Sequence, residues 1–231
     1  MPGNFTIQPT LQNSDIRLVI FDCDGVLVDS EILCKRVLVG MLASLEVTVS
    51  DHYFDTYFLG QSYESAHRQI HHDFNVLLPK DFRDDYLNTL LRVFAEELEP
   101  TEYLNSVLDQ LNVKSCIATS SSPQRVNFAL QTTGLLAFFD GRITTSSEVQ
   151  KGKPAPDIFL HAAAKMNVQP EHCLVIEDSQ AGIEGALAAG MEVIKYTGAS
   201  HLSGKANASS SNVSVISHWH ELSSVVPGLF K

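Results

Sequence analysis

Two aspartates separated by one residue, Asp22 and Asp24, stand directly after the apolar run 17–21, and Gly25 follows them. A carboxylate can attack phosphorus to form an acyl phosphate, as in aspartyl-phosphate ATPases. A second acid beside it can protonate a leaving alkoxide and later take a proton from the attacking water. Gly25 permits a tight turn, so that both carboxylates can reach one point. Taken alone, D-x-D-G is as readily a turn or a helix cap, so this chemistry needs partners elsewhere in the chain.

Three other places offer them. Ile117-Ala118-Thr119-Ser120-Ser121-Ser122 ends an apolar run in hydroxyls and backbone amides, a setting that suits an anion, although serine clusters also form ordinary loops. Lys153, in KGKPAPD (151–157), precedes Pro-Ala-Pro. Prolines hold such a segment stiff and extended and would aim its ammonium at one site; the alternative is a solvated surface lysine. LVIEDSQAG (174–182) closes a very apolar run with Glu177 and Asp178. Placed beside Asp22 across a sheet, Asp178 could complete an oxygen-ligand site for Mg2+; otherwise the acids simply favour a helix N-terminus. Each bland reading stands singly. Together the four places supply nucleophile, hydroxyl, lysine and metal ligand in order, a coincidence that separate turns and caps leave unexplained.

The elements that must position these residues alternate. Short β-rich runs occur at 17–21, 115–119, 173–177 and 192–196, with a weaker one at 142–145. Helical signals separate them: Ser122-Pro123 as cap and first-turn proline before a run closed by Gly134, a start near Pro154–Asp157, and Ser179 capping a run that ends at Gly190. This alternation predicts an α/β fold, a parallel sheet with helices on both faces, whose ligands gather at the carboxyl ends of the strands. Residues 31–99 break the pattern. Ile32, Leu38, Met41, Leu42 and Leu45 mark one helical face, and Phe82, Tyr86, Leu90, Phe94 and Leu98 another, so a helical lobe is expected before the sheet resumes near Tyr103.

The set D-x-D-G-V-x-x-D-S, a strand ending in Thr/Ser, K-P-x-P and E-D-S-x-x-G-I resembles the haloacid dehalogenase superfamily over nearly the whole chain. It looks like the branch of β-phosphoglucomutases and small sugar-phosphate phosphatases. The resemblance implies a Rossmann-like core (14–30 and 100–231) and an inserted α-helical cap (31–99). It implies Asp22 as nucleophile and Asp24 as acid/base, with Mg2+ held by the Asp22 carboxylate, the Asp24 carbonyl and Asp178. Glu177 is then a further ligand or a supporting group. Thr119 and Lys153 would bind the phosphoryl group with help from the Ser120 amide, and the cap loop Gly60-Gln61-Ser62 would help choose the substrate. The implied reaction is Mg2+-dependent hydrolysis of a small phosphorylated metabolite, a sugar or sugar-acid monophosphate, through an aspartyl phosphate.

Rival readings differ at particular residues. The mutases resemble K-G-x-S-R in the cap loop and place a histidine four residues after their D-T pair, whereas this chain has Leu59-Gly60-Gln61-Ser62-Tyr63 and Cys34 there. The loop cations that would grip a second phosphate are absent, which favours transfer to water and a single phosphate on the substrate. A dehalogenase would not need Asp24 to protonate its leaving halide. A non-catalytic binding protein on the same scaffold is the remaining alternative.

Bulk properties agree. At 231 residues, 44 % hydrophobic, a chain can remove roughly 70–75 % of its unfolded surface from water without staples. A net charge of −11 with no basic stripe argues against nucleic acid or an anionic membrane as partner. Any phosphate site must then draw positive potential from a metal ion, a lysine or helix N-termini. Cys23, Cys34, Cys116 and Cys173 are widely spaced, without a CxxC pair, as expected of free thiols in a reducing compartment. The first fifteen residues lack a basic start and an apolar stretch, and no run approaches the roughly 20 residues needed to span a bilayer. A cytoplasmic monomer is expected. The N-x-S/T triplets at Asn4, Asn207 and Asn212 are read as chance matches, 203–212 as a polar loop, and His71-His72 and His218-Trp219-His220 as surface or packing residues.

Overall fold

A computed structural model describes residues 15–203 and 213–230. The N-terminal stretch before Asp15, the triplet asparagines Asn4, Asn207 and Asn212, and the loop residues 204–212 lie outside these. Strands β1 (Leu18–Phe21), β2 (Lys114–Thr119), β3 (Ile143–Thr145), β4 (Cys173–Glu177), β5 (Glu192–Tyr196) and β6 (Ser214–Ile216) form one parallel sheet in the order β3-β2-β1-β4-β5-β6. β1 and β4 are buried along their whole length, which explains why LVIF and CLVIE read as continuous apolar runs. The period of two divides β1 between two cores. Leu18 and Ile20 pack with α8 (Asp157–Met166) and α9 (Gln180–Ala188) on one face. On the other, Val19 and Phe21 pack with α5 (Leu104–Gln110), α6 (Pro123–Thr132) and the buried Trp219.

The expected caps are present. Ser122 and Ser179 accept from the backbone N–H of Arg125 and Gly182, and Gly134 and Gly190 adopt the left-handed backbone that closes each helix. All four cysteines are buried free thiols. Trp219 donates to Thr101 Oγ1 at 2.9 Å while the rings of His218 and His220 stack on each other, and His72 Nδ1 pairs with Asp73 at 2.5 Å.

Between β1 and α5 run four helices: α1 (Glu31–Ala43), α2 (Asp51–Tyr57), α3 (Tyr63–Phe74) and α4 (Phe82–Glu97). α4 buries the expected Phe82, Leu90 and Phe94. α1 buries the expected Leu38 and Leu42, with Met41 and Leu45 partly buried, but Ile32 is 43 % exposed, and Leu33, Cys34 and Val37 are buried as well. Contact with α4 shifts the edge of the buried stripe from Ile32 to Leu33, Cys34 and Val37. Residues 33–37 and 90–98 join the sheet-side core, while Leu38, Leu42, Val47, Phe54, Ile70 and Phe82 form a separate apolar cluster. The sheet resumes later than expected. Tyr103, 67 % exposed with φ 65°, precedes α5, and β2 begins at Lys114. No helix among the described residues is long and apolar enough to cross a membrane.

Candidate active site

The chain leaves β1 toward β2 and β3 on one side of the sheet and returns to β4 on the other, so the strand order reverses at β1 and β4. A crevice opens at the carboxyl ends of such a pair. Asp22 follows β1 and Asp178 follows β4, with Glu177 as the last strand residue. Carboxylate oxygens of Asp22, Glu177 and Asp178 lie within 4.8 Å of one another, all buried. Lys153 enters from the segment before α8, its Nζ donating to Asp22 Oδ1 at 2.7 Å and to Glu177 Oε1 at 2.6 Å. Its residue lies in a turn closed by Ala155 N–H to Gly152 O (3.0 Å), not on the extended stretch expected of Pro-Ala-Pro, and the Lys153–Pro154 bond is cis.

Two glycines allow this crowding. Gly25 has φ +77°, and a Cβ there would stand 2.0 Å from Asp178 Oδ2. A Cβ on Gly182 would stand 1.8 Å from Glu177 Oε1. The other Glu177 oxygen accepts from Ser179 N (2.7 Å) and Ser179 Oγ (2.9 Å), so both its oxygens are engaged. His201 Nε2 lies 3.0 Å from Asp178 Oδ2.

Three buried carboxylates against one ammonium leave an excess of negative charge. Burial pushes the Asp22 carboxyl well up, against the pull of Lys153, and Glu177 and Asp178 add to the rise. Burial and then Glu177 do the same to Asp178. Lys153 is held above its ordinary range because Asp22 and Glu177 outweigh its own burial. Such a group of hard oxygen donors fits a divalent cation of the Mg2+ type, which would remove that excess.

Asp24 has different surroundings. Ser30 Oγ donates to Oδ1 and Ser121 Oγ to Oδ2, each at 2.5 Å, and Arg125 Nη2 donates to Oδ1 at 2.6 Å. Burial raises its carboxyl, but Arg125 and the two hydroxyls prevail and hold it below the usual range. Ser30 starts α1 without capping it, its hydroxyl being given to Asp24. Arg125 also reaches Cys34 Sγ at 3.0 Å and lies over the Phe94 ring, so it links α6 to α1 and α4. Burial, then Asp24, pushes Glu31 up to about 8. Ser30, Ser121, Arg125 and His201 were not singled out from the sequence. For Arg125 a signal existed: it is the sole charged residue of α6, set just inside a serine-capped start.

Thr119 is buried, with Oγ1 accepting from Ser121 N–H at 3.1 Å, which leaves its proton for another acceptor. Ser120 borders a cleft of about 590 Å³ shared by Ser122, Arg125, Lys153, Gln61 and Ser62. Gly60 (φ +70°) presses on the end of β4, where a Cβ would stand 2.7 Å from Ser179 Cβ. Ser62 caps α3 by accepting from Ser65 N at 3.2 Å. The residues expected at the strand ends and in the 60–62 loop thus converge on one crevice.

Known proteins resemble this chain. The 6-phosphogluconate phosphatase of Escherichia coli is 30 % identical over 189 residues, spanning 81 % of this chain and 86 % of its own. A phosphorylated carbohydrates phosphatase of Thermotoga maritima is 30 % identical over 198 residues, 76 % of this chain and 82 % of its own. The crystal structure of a haloacid dehalogenase-like protein from Agrobacterium tumefaciens superposes with a TM-score of 0.74 at 32 % identity, over 92 % of this chain and 98 % of that one. The sequence pattern of the haloacid dehalogenase-like hydrolases matches residues 16–190, and the chain belongs to that family.

Proposed function

We propose that this protein is a Mg2+-dependent phosphatase that cleaves a sugar or sugar-acid phosphate through a phosphorylated Asp22. The observation that carries the reading is the convergence of Asp22, Lys153, Glu177 and Asp178 in one buried crevice, with Asp24 fixed beside it. The relatives that cleave phosphorylated sugars support the same class of substrate.

Asp22, the Asp24 carbonyl and Asp178 would hold the metal. When bound, Mg2+ supplies positive charge against the phosphate oxygens and offsets their repulsion with Asp22. Glu177 has both oxygens committed to Lys153 and Ser179, so its part is to orient Lys153. Thr119, the Ser120 amide and Lys153 bind the phosphoryl oxygens. An Asp22 oxygen attacks phosphorus, the ester P–O bond breaks, and the departing oxygen takes a proton from Asp24. Water then attacks the acyl phosphate, gives its proton to Asp24, and releases inorganic phosphate and the Asp22 carboxylate. The Arg125 pair, at 2.6 Å, fixes where the Asp24 carboxyl stands for both proton transfers. Helices of segment 31–99 act as the cap over a core of 14–30 and 100–231, with Gly60, Gln61 and Ser62 at its inner edge.

Leu59, Tyr63 and Cys34 stand where a mutase-type cap has lysine, arginine and histidine, so water is the acceptor. A panel of phosphorylated metabolites tests this: Mg2+-dependent release of inorganic phosphate is expected. Isomerised sugar phosphate formed without phosphate release overturns it in favour of a mutase, and no reaction with any ester favours a binding protein.

A further inference from the structure

The 590 Å³ cleft has a second charged wall. Besides Lys153 and Arg125, it is lined by Arg68 of α3 and Arg83 of α4, while Glu64 is its one acidic lining residue. In a chain of net charge −11, this outer wall carries two arginines against one acid. The two inner cations are already spoken for: Lys153 pairs with Asp22 and Glu177, and Arg125 with Asp24. The outer two are not committed in this way. Arg68 is exposed and makes no hydrogen bond or ion pair with another described residue. Arg83 lies over the Tyr63 ring and reaches Glu64 at 3.0 Å, a pair whose side chains are 54 % and 51 % exposed and which solvent screens.

An exposed arginine is ordinarily a solubility feature. Here two of them share a cleft with the lysine that would hold the transferring phosphoryl group, and the cleft has the size of a small-metabolite site. A guanidinium fork matches a carboxylate or phosphate with two parallel hydrogen bonds. Tyr63, Tyr86 and Leu87 on the same wall offer surface for a carbon chain between the two ends.

We propose that Arg68 and Arg83 bind a second anionic group, a carboxylate or a phosphate, at the end of the substrate remote from the phosphoryl group being cleaved. This deepens the phosphatase reading and rests on it. It also revises the expectation of a missing second grip, which considered only loop residues 59–63; the cations here come from two helices instead. They would select a substrate without touching the reacting atoms.

The test uses the full chain with Mg2+ and two matched pairs: a hexonate phosphate against the neutral hexose phosphate, and a hexose bisphosphate against its monophosphate. The anionic-tailed member of at least one pair should show kcat/KM roughly 10–100-fold higher. Preference in the first pair identifies a carboxylate, in the second a phosphate. In the double variant Arg68→Gln/Arg83→Gln that ratio should fall toward one, and Arg68→Lys/Arg83→Lys should keep part of it, which separates lost charge from lost folding. Equal kcat/KM within both pairs, or a ratio that survives the double glutamine variant, overturns the inference while leaving the phosphatase reading intact. Failure to release phosphate from any of the four esters overturns both.

Discussion

The floor of the cleft and its helical wall treat charge in opposite ways. On the floor, Asp22, Lys153 and Glu177 are almost fully enclosed, and the lysine is held within 2.7 Å of two carboxylates. On the wall, Arg83 and Glu64 are half exposed and Arg68 is unpaired among the described residues. Enclosed charges keep one geometry because every departure leaves an unsatisfied ion in a dry site. Exposed charges cost little to move and suit a surface that meets different substrates. The contrast assigns chemistry to the sheet and selection to the helices, and each half of that assignment can be attacked separately.

The largest effect should come from the floor. Asp24→Asn keeps the shape but removes the proton carrier, and turnover should fall roughly 10²–10⁴-fold; steady-state kinetics with retained Mg2+ dependence checks it. Gly182→Ala adds a methyl where Glu177 Oε1 stands, 1.8 Å away, and so displaces the group that aims Lys153. A drop in kcat of about 10²-fold with little change in KM is expected. Near-normal kcat in that variant would break the view that Glu177 acts by positioning.

Stability offers the next comparison. Lys153→Met leaves Asp22 and Glu177 enclosed without their cation, and the cost should be about 3–5 kcal/mol in urea unfolding of the metal-free protein. Arg83→Gln breaks the screened Glu64 pair and an exposed contact with the Tyr63 ring, and should cost about 0–1 kcal/mol by the same measurement. Comparable losses in the two variants would erase the distinction between floor and wall. The smallest effect belongs to the contact between them. Gly60→Ala must hold φ +70° and press on Ser179, a strain of about 1–2 kcal/mol that should raise KM several-fold and leave kcat nearly unchanged.

The floor was largely legible in the sequence because it is built from strand ends. Apolar runs that stop abruptly at Asp22, Thr119 and Glu177 announce a parallel sheet, and its strand order then brings those stops together. β6 was not legible, since three residues (SVI) at the sheet edge carry too little periodicity. Arg125 escaped for another reason. Its partner Asp24 is 101 residues away, and it is the pairing of β1 with β2 that sets the start of α6 beside the Asp24 turn, within 2.6 Å. Ile32 shows the opposite error: hydrophobic spacing places Leu38 and Leu42 inside, but in a helix as apolar as α1 it cannot fix the edge of the buried stripe. Arg68 and Arg83 look like ordinary surface charges until α3 and α4 are seen to border the same cleft as Lys153.

The most direct test of the central claim is to look for the phosphoryl group on the enzyme. The protein would be mixed with a hydrolysed phosphate ester and Mg2+, quenched in acid during turnover, and its peptides weighed. The peptide containing Asp22 should carry one added phosphoryl group in an acid-stable, base-labile linkage, and Asp22→Asn should carry none and release no phosphate. A phosphoryl group found on another residue, or undiminished turnover by Asp22→Asn, would contradict the account.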